Sequence, residues 1–394
     1  MAQAYIVGGV RTATGRKKGR LSRVHPIDLG AMVVDELVER TGIPAERVDD
    51  LIFGVVSQIG AQAGNLGRKV TMSSRLPLEV PGVTIDRQCG SSLQAMQFAA
   101  QAVISETQDV VIAGGVEAMS TVEIGSNIRD GLEHGRGVPK GERLEARYPG
   151  IRFSQFDGAE LLAEKYGISR EQLDEFGLLS HQRAARATNE GHFEREVLPV
   201  PIVLEDGSPD MHVVDEGIRM DASIEAMRGL NPLREEGVIT AGTASQISDG
   251  AAAVMIANER AVAELGLPVR ARIHSMAVVG SDPVVMLEGP IPATEMVLQK
   301  TGLTLDEIDL YEVNEAFGSV PLAWAKALGA DPERLNVNGG AQALGHPLGA
   351  TGAKLMVTLV HELERRQGRY GLIAICEGGG TANAMIVERT DRAA

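Results

Sequence analysis

Short apolar runs alternate with amphipathic helical segments along most of this chain, and the alternation strongly constrains the fold. In the first third, strand-like runs lie at YIVGGV, DLIFGVV, GVTID and DVVIAGG. Helical patterns occupy residues 27–40, 64–76 and 90–105. Alternating strands and helices are typical of α/β proteins, in which helices cover the faces of a sheet. The sequence therefore predicts an α/β fold with buried sheets.

The middle of the chain has a different character. Residues 120–246 are richer in charge, glycine and proline, and two helical stretches are separated there by long irregular connections. Alternation resumes at DGAAAVMIANERAVAELG, and the last third repeats the order of strand, helix and strand. DVVIAGGVEAMS and GLIAICEGGGTANA both run from an apolar strand into glycines. The pattern predicts two related halves, with an insertion that carries loops.

Charge, aromatic content and cysteine usage exclude several classes of function. The net charge of -15 and the 3% of aromatic residues argue against a nucleic-acid partner. The basic stretch RTATGRKKGR is interpreted as a solvated loop, with an anion site as the alternative. Two cysteines far apart in sequence predict a reducing compartment, no disulfide framework and no metal site. Without a signal peptide or a run of about 18 apolar residues, the chain is expected to be cytoplasmic and not membrane-bound.

Cys89 lies at the junction of a strand and a helix, in the stretch DRQCGSSLQAMQFAA. The preceding GVTIDRQ has the β-branched residues of a buried strand, and the following residues have helical spacing. Backbone N–H groups and the helix dipole lower the pKa of a thiol at a helix N-terminus. Gly90 admits a ligand, and Ser91 or Ser92 is expected to cap the helix. These flanks favour a nucleophile over the alternative of a buried structural cysteine.

Three stretches in the last third carry further side chains that a thiol enzyme needs. Asn314 and Glu315 follow a strand in YEVNEAFGSVPLAWAKAL, where polar groups line a cleft at strand ends. His346 lies in the glycine-rich loop of NVNGGAQALGHPLGATGAK, and Cys376 precedes three glycines whose N–H groups suit an oxyanion. Singly, these stretches have structural alternatives: a capping pair, a hydrogen-bonding histidine and a tight turn. Together they supply a nucleophile, a base, a second proton carrier and oxyanion donors.

Five motifs in order, CGSSLQA, GGVEAMS, NEAF, GGAQALGHPLGATGAK and CEGGG, resemble those of the thiolases, the acetyl-CoA acyltransferases. The resemblance runs essentially the whole length of the chain. It implies the α/β thiolase fold, five layers (αβαβα) of two similar halves with an inserted loop domain, assembled as a homodimer or homotetramer. The predicted boundaries are 1–119 with 247–268 for the N-terminal half, 120–246 for the loop domain and 269–394 for the C-terminal half.

The resemblance also implies a role for each motif residue. Cys89 is the nucleophile that takes the acyl group. His346 accepts the thiol proton and, with a water held by Asn314, forms an oxyanion hole at the thioester carbonyl. Cys376 moves the proton to and from the α-carbon of acetyl-CoA. The backbone N–H groups of Cys89 and Gly378 form a second oxyanion hole.

Coenzyme A enters this scheme as a co-substrate, and no permanently bound cofactor or metal is expected. The loop domain binds coenzyme A in this family. By match to its motifs, Arg219 is assigned to the nucleotide end and Ser245 to the pantetheine end. Met286, in DPVVMLEGPIPAT, matches a methionine that lines the pocket, with a plain core role as the alternative.

Several positions depart from the commonest thiolase pattern. Ser92 and Gln342 replace a glycine and an apolar residue. Ser154, Gln155 and Phe156 occupy the places of a His-Met-Gly triplet typical of acetoacetyl-specific biosynthetic members. The sequence therefore predicts a degradative thiolase for longer, branched or cyclic acyl groups, as in fatty-acid or sterol breakdown.

Three other functions are alternatives to a degradative thiolase. The first is a biosynthetic acetoacetyl-CoA thiolase, and the second is a ketoacyl synthase, which pairs its cysteine with two histidines. The third is a thiolase-like protein that binds acyl-CoA without turnover. The presence of Cys89, Asn314, His346 and Cys376 argues against the last two.

Overall fold

The computed structural model describes residues 2–390. Within this range the strands are β1 (Ala4–Thr12), β2 (Gly15–Arg16), β3 (Asp50–Gly54), β4 (Gly82–Ile85), β5 (Val110–Ala118), β6 (Val197–Leu198), β7 (Val200–Val203), β8 (Pro209–His212), β9 (Ser248–Asn258), β10 (Ala271–Gly280), β11 (Leu310–Val313), β12 (Tyr370–Glu377) and β13 (Thr381–Arg389). The helices are α1 (Pro26–Thr41), α2 (Leu66–Ser73), α3 (Ser91–Ile104), α4 (Ser126–Glu133), α5 (Glu142–Arg147), α6 (Gln155–Tyr166), α7 (Arg170–Asn189), α8 (Ile224–Arg228), α9 (Glu259–Leu265), α10 (Pro290–Thr301), α11 (Ser319–Leu328), α12 (Ala341–Leu344) and α13 (Thr351–Arg366). The strands and helices predicted in the first third are confirmed, with ends that differ by a few residues.

The main sheet runs in the order β11-β12-β13-β10-β1-β9-β5-β3-β4. It is continuous, but β1 and β10 pair only at Tyr5 with Arg272 and Ile6 with Ala271. By contrast, β10 pairs with β13 along its full length. The short β1–β10 contact therefore joins two half-sheets, one from each end of the chain.

Helices cover both faces of each half-sheet, which produces the predicted layers. The central layer is α3 and α13, whose Leu93 and Met356 lie in one apolar core with residues of both half-sheets. Helices α1 and α2 cover the outer face of the N-terminal half-sheet, in a core that includes Val33 and Val70. Helices α10 and α11 do the same for the other half, around Trp324. The predicted arrangement of five layers is confirmed.

Two interpretations of the N-terminal third are wrong. The run GVTID is not a buried strand, because β4 lies at the edge of the sheet and Val83 is 41% exposed. The stretch RTATGRKKGR is not wholly a solvated loop. Its first residue, Arg11, is fully buried, with ion pairs to Glu196 at 2.6 Å and Asp215 at 2.9 Å. Those carboxylates offset the cost of burying the guanidinium, whereas the following Arg16, Lys17 and Lys18 are exposed.

Residues 120–246 contain α4 to α8 and β6 to β8, so the segment holds more regular structure than its irregular sequence indicates. Strand β6 pairs with β1 of the main sheet, and β7 and β8 form a separate hairpin. The longest helix, α7, begins with a capping box in which Ser169 and Gln172 bond each other's backbone N–H groups. This segment therefore packs on the two halves, and its boundaries as a domain stay a prediction.

Candidate active site

Cys89 lies in the tight turn that connects β4 to α3. Gln88 adopts a φ of 50°, and the turn is closed by hydrogen bonds from Gly90 N to Arg87 O at 3.1 Å and from Ser91 N to Gln88 O at 3.0 Å. The Cys89 side chain is buried. Since α3 begins at Ser91, the predicted location of the thiol at a helix N-terminus is confirmed.

The two serines after Cys89 do not cap α3, so that prediction is wrong. The N-cap position is Gly90, which has no side chain to bond the helix. Ser91 Oγ instead accepts from Arg87 N at 2.9 Å and donates to Gln88 O at 2.7 Å. Ser92 Oγ accepts from Ala353 N of α13 at 2.9 Å. Ser91 therefore stabilises the cysteine turn, and Ser92 connects it to the C-terminal half.

The expectation of a lowered pKa at Cys89 is also wrong. Burial raises the pKa of the Cys89 thiol to about 12, and the nearby carboxylates of Glu377 and Glu117 contribute to the increase. The Gln155 side-chain amide, 3.9 Å from Cys89 Sγ, opposes the shift. Desolvation of the thiolate therefore outweighs the groups that favour it. Cys89 rests as a neutral thiol, which needs a base to become a nucleophile.

His346 is oriented by Thr351, the first residue of α13. His346 Nδ1 lies 2.6 Å from Thr351 Oγ1, and the same hydroxyl donates to Pro347 O at 2.9 Å. Because a hydroxyl has one proton to donate, Thr351 accepts from His346, and Nδ1 must carry the imidazole proton. The lone pair of Nε2 then faces Asn314, whose Nδ2 donates to it at 3.4 Å. This tautomer leaves Nε2 available as a proton acceptor.

The surroundings of His346 keep it neutral. Burial, together with the ammonium of Lys354, lowers the pKa of His346 to about 3. Lys354 Nζ donates to Leu344 O at 2.8 Å and Gly345 O at 3.0 Å, the two carbonyls that precede the histidine. Lys354 therefore both positions the loop and favours the unprotonated imidazole.

Asn314 and Glu315 have different tasks at the end of β11. Asn314 N donates to Ala374 O at 3.0 Å, and its Oδ1 is buried without a hydrogen-bond partner among residues 2–390. Glu315 is no capping residue. Its carboxylate accepts from Ser180 Oγ at 2.7 Å, Asn336 Nδ2 at 2.9 Å and Gln342 N at 3.1 Å. Glu315 connects the loop before His346 to α7.

Cys376 and Gly378 approach Cys89 from the end of β12. Cys376 is buried, and burial raises the pKa of its thiol; a thiolate at Cys89 would raise it further. A Cβ added at Gly378 would lie 3.0 Å from Gln88 Oε1 and 3.4 Å from Gln155 Nε2. Gly378 thus faces the two glutamines that flank Cys89.

Glu117, which the sequence analysis missed, holds the histidine loop against the N-terminal half. Its carboxylate accepts from Val56 N at 2.9 Å, Ser57 N at 3.0 Å and Gly349 N at 2.9 Å, and from a glutamine side chain. Gly115 lets the loop come this close, since an added Cβ would overlap Gly349 O. Glu117 lies within the motif GGVEAMS, but spacing alone does not show what it bonds.

The structure brings predicted catalytic residues together from the two half-sheets: the Cys89 turn follows edge strand β4, and a Cβ added at Gly90 would overlap Glu377 Oε1 at the end of β12. Cys89, Cys376 and Gly378 form one group, and Asn314 and His346 form another. The two are connected through the β11–β12 pairing, in which Val313 is the partner of Ala374, two residues before Cys376.

The three residues assigned to coenzyme A lie in different surroundings. Arg219 is exposed in an irregular segment, where its backbone N donates to His181 Nδ1 at 3.1 Å. Ser245 is half-buried and its N donates to Ala316 O at 2.9 Å, so it lies against the NEAF segment. Met286 is buried in the core around Trp324 at a φ of 61°. Burial agrees with the core alternative for Met286 without testing a pocket role.

The residues that replace the His-Met-Gly triplet begin α6. Ser154 caps the helix by accepting from Asp157 N at 3.3 Å, and Gln155 contacts Cys89. Phe156 is 45% exposed and packs edge-on against Phe317, with ring centroids 5.4 Å apart. Of these three residues, Gln155 is therefore the one that contacts the nucleophile.

Two kinds of feature are absent from residues 2–390. Between residues 2 and 390, no group of three or more His, Cys, Asp and Glu side chains could hold a metal ion. No helix in the same range combines the length and the apolar character that crossing a membrane requires.

Comparisons with known proteins agree with this geometry. The family model "Thiolase, N-terminal domain" matches residues 4–260, and "Thiolase, C-terminal domain" matches residues 267–389. The chain is 52% identical to the steroid 3-ketoacyl-CoA thiolase FadA6 of Mycobacterium tuberculosis, over 99% of this chain and 95% of that protein. It is 40% identical to a beta-ketoadipyl-CoA thiolase of Acinetobacter baylyi, over 99% and 100% of the two chains.

A solved structure gives the same result at the level of the fold. The crystal structure of human mitochondrial 3-ketoacyl-CoA thiolase superposes with a TM-score of 0.89 at 35% identity, and the match covers 99% of both chains. Family models, full-length relatives and fold agree, and the chain belongs to the thiolase family of acyltransferases.

Proposed function

We propose that this thiolase cleaves 3-ketoacyl-CoA with coenzyme A, releasing acetyl-CoA and a shortened acyl-CoA. The observation that carries the proposal is the pair of buried thiols, Cys89 and Cys376, whose next residues Gly90 and Glu377 lie against each other. A neutral histidine whose Nε2 is an acceptor lies beside Asn314, which follows β11, the strand next to β12. This set supplies a nucleophile and separate proton carriers for a carbon–carbon cleavage.

In the first half-reaction, Cys89 takes the acyl group. His346 Nε2 accepts the thiol proton, and Cys89 Sγ attacks the 3-keto carbon. The bond between the α- and β-carbons breaks, and its electron pair passes into the enolate of acetyl-CoA. Cys376 donates its proton to the α-carbon, which completes acetyl-CoA and leaves an acyl thioester on Cys89.

Two oxyanion sites stabilise the charges that develop. The enolate oxygen receives hydrogen bonds from protonated His346 Nε2 and from a water on Asn314, whose buried Oδ1 is open to a donor. The oxygen of the tetrahedral intermediate at Cys89 receives the N–H groups of Cys89 and Gly378. The position of Gly378 beside Gln88 and Gln155 supports this assignment.

In the second half-reaction, coenzyme A acts as a co-substrate. The Cys376 thiolate takes the proton of the coenzyme A thiol, and the resulting thiolate attacks the acyl carbon. The bond to Cys89 Sγ breaks, the shortened acyl-CoA leaves, and His346 returns its proton to Cys89. Residues 120–246 would supply the binding site, with Arg219 at the nucleotide end and Ser245 at the pantetheine end. The exposed guanidinium of Arg219 supports the first assignment, because an acidic protein needs local positive charge for phosphates. Met286 would line the substrate pocket beside α6.

We further propose a degradative role with a bulky acyl substrate. The relative of 52% identity is named for a steroid 3-ketoacyl-CoA, and the exposed ring of Phe156 beside Phe317 offers an apolar surface near Cys89. We also propose that the enzyme is a homodimer or homotetramer and that it works in the cytoplasm. Edge strand β4 supports association, because the exposed Val83 lies on it and Leu78 on the adjoining loop.

The test is CoA-dependent loss of 3-ketoacyl-CoA over a panel from acetoacetyl-CoA to long-chain and ring-bearing substrates, with Cys89→Ala as control. We expect cleavage that vanishes in the variant and is fastest with a bulky substrate. Equal or faster turnover of acetoacetyl-CoA would overturn the substrate assignment. Binding of acyl-CoA without any cleavage would overturn the reaction.

A further inference from the structure

Glu377, the residue after Cys376, is a buried carboxyl group with an unusual set of neighbours. It ends β12 and its side chain is fully buried. Glu377 Oε2 accepts from Thr381 Oγ1 at 2.5 Å. Its other oxygen, Oε1, has no hydrogen-bond partner among residues 2–390. An ionised carboxylate in this place would leave a buried acceptor unsatisfied.

Asn383, on the adjacent strand β13, also carries a buried oxygen that lacks a hydrogen-bond partner. Its Nδ2 donates to Gly90 O at 3.1 Å, which leaves Oδ1 buried without a partner in the described chain. A Cβ added at Gly90 would overlap Glu377 Oε1 and lie 2.8 Å from Asn383 Oδ1. Glu377 Oε1 and Asn383 Oδ1, two acceptors without a partner in the described chain, therefore lie next to the same small space beside Gly90. A single proton on Glu377 Oε1 turns one of them into a donor and satisfies both.

Glu117 provides a contrast within the same molecule. Glu117 is the last but one residue of β5 to pair with β9, and Glu377 is the last residue of β12 to pair with β13. These strands are the third from the centre in the two half-sheets. The Glu117 carboxylate is satisfied by three backbone N–H groups and one amide, which suits an ionised group. Among the described residues, Glu377 has only the Thr381 hydroxyl as a donor. The two carboxyl groups therefore occupy similar places with opposite hydrogen-bonding requirements.

We propose that Glu377 is protonated in the active enzyme and donates to Asn383, which in turn holds the carbonyl of Gly90. This chain of bonds connects the Cys89 turn to the strand that carries Cys376, without a negative charge on Glu377 beside the two thiols. Glu377 is thus a positioning residue that also controls the local charge. The inference rests on the proposed roles of Cys89 and Cys376.

The charges around Glu377 agree with this assignment. Burial raises the pKa of Glu377 to about 7, Asp86 adds to the increase, and Thr381 and Arg87 oppose it. In the other direction, an ionised Glu377 raises the pKa of both thiols, Cys89 and Cys376. Loss of the Glu377 proton therefore weakens the link to Asn383 and disfavours each thiolate.

The first test measures protonation directly, by infrared difference spectra of wild type against Glu377→Gln. We expect a carbonyl stretch of a protonated carboxyl that is absent from the variant and fades as the pH rises through about 7. Other buried carboxyl groups cancel in the difference. A difference spectrum with only carboxylate bands below that pH would overturn the proposal.

The second test measures the consequence at Cys89, by the pH dependence of its alkylation with iodoacetamide, followed by peptide mass. Glu377→Gln removes the charge but keeps an N–H donor toward Asn383. We expect its alkylation profile to shift to lower pH by about one unit. An unchanged profile would contradict the proposed influence on charge.

Rates of thiolysis in two variants distinguish a hydrogen-bonding role of Glu377 from a packing role. Glu377→Gln should retain far more thiolysis than Glu377→Leu, because only Gln can still donate to Asn383 Oδ1. Equal loss in both variants would refute the link. The infrared and alkylation measurements need no 3-ketoacyl-CoA, so they stay informative if the proposed thiolysis itself fails.

Discussion

Replacing Thr351 by valine tests the orientation of His346 most sharply. Valine has nearly the shape of threonine but no hydroxyl. The variant therefore removes the acceptor 2.6 Å from His346 Nδ1 and keeps the packing at the start of α13. The carbonyl of Pro347 loses the hydroxyl donor but keeps the hydrogen bond from Ala350 N at 2.9 Å.

The expected magnitude follows from the buried N–H group. Leaving it without an acceptor costs about 1–3 kcal/mol. The imidazole avoids that cost by moving its proton to Nε2, and that tautomer cannot accept the proton of Cys89. At 1.36 kcal/mol for each factor of ten, kcat/KM for thiolysis should fall by about 5- to 150-fold.

The assay compares kcat/KM for thiolysis in wild type, Thr351→Val and Thr351→Ser, with thermal unfolding as a check on folding. Serine restores the hydroxyl, so it should recover most of the activity lost in the valine variant. A Thr351→Val enzyme with wild-type kcat/KM would refute the tautomer argument. Equal losses in the serine and valine variants would show that packing, not the hydroxyl, matters at this position.

Three further changes test other parts of the site. Cys376→Ala should spare acyl transfer to Cys89 from a simple thioester while the carbon–carbon step is lost; equal loss of both would show that the two thiols do not have separate roles. Gly115→Ala should lower both activity and the free energy of unfolding, because the new Cβ meets Gly349 O. The free energy of unfolding should fall by about 1–3 kcal/mol, and a calorimetric value equal to that of wild type would contradict the close approach. Glu377 binds its proton more tightly in the folded chain, since its pKa is raised from 4.5 to about 7. Wild type should therefore lose stability as the pH rises through that window, by up to about 3 kcal/mol. The Tm of Glu377→Gln relative to wild type should increase over the same window, and a constant difference would refute the shift.

Motif order and periodicity predicted a large part of this molecule. The alternating pattern identified the half-sheets, and the five motifs identified the thiolase family, the fold and the acyltransferase activity; family models and full-length relatives confirm these. The roles of Cys89, His346, Cys376 and Asn314 stay predictions that the geometry supports. The boundaries of the loop domain and the residues for coenzyme A also stay predictions.

The errors share one cause, which is that local patterns do not report burial or long-range partners. GVTID has the composition of a buried strand but lies at a sheet edge. Ser91 and Ser92 have the residue type of a helix cap, yet they bond the cysteine turn and α13 instead. The location of Cys89 at a helix N-terminus was predicted, but burial, which no pattern in the stretch shows, raises the pKa of its thiol.

The sequence by itself determined which chemical groups are present and in which order along the chain they follow strands and helices. Only the tertiary structure decided their protonation and orientation, because those depend on contacts between residues far apart in sequence. Glu117 reaches Gly349 across 232 positions, and Asn383 reaches Gly90 across 293. A sequence motif can identify His346 and Cys89 as candidate site residues. Hydrogen bonding in the folded chain sets which nitrogen of His346 carries the proton, and burial keeps the proton on Cys89.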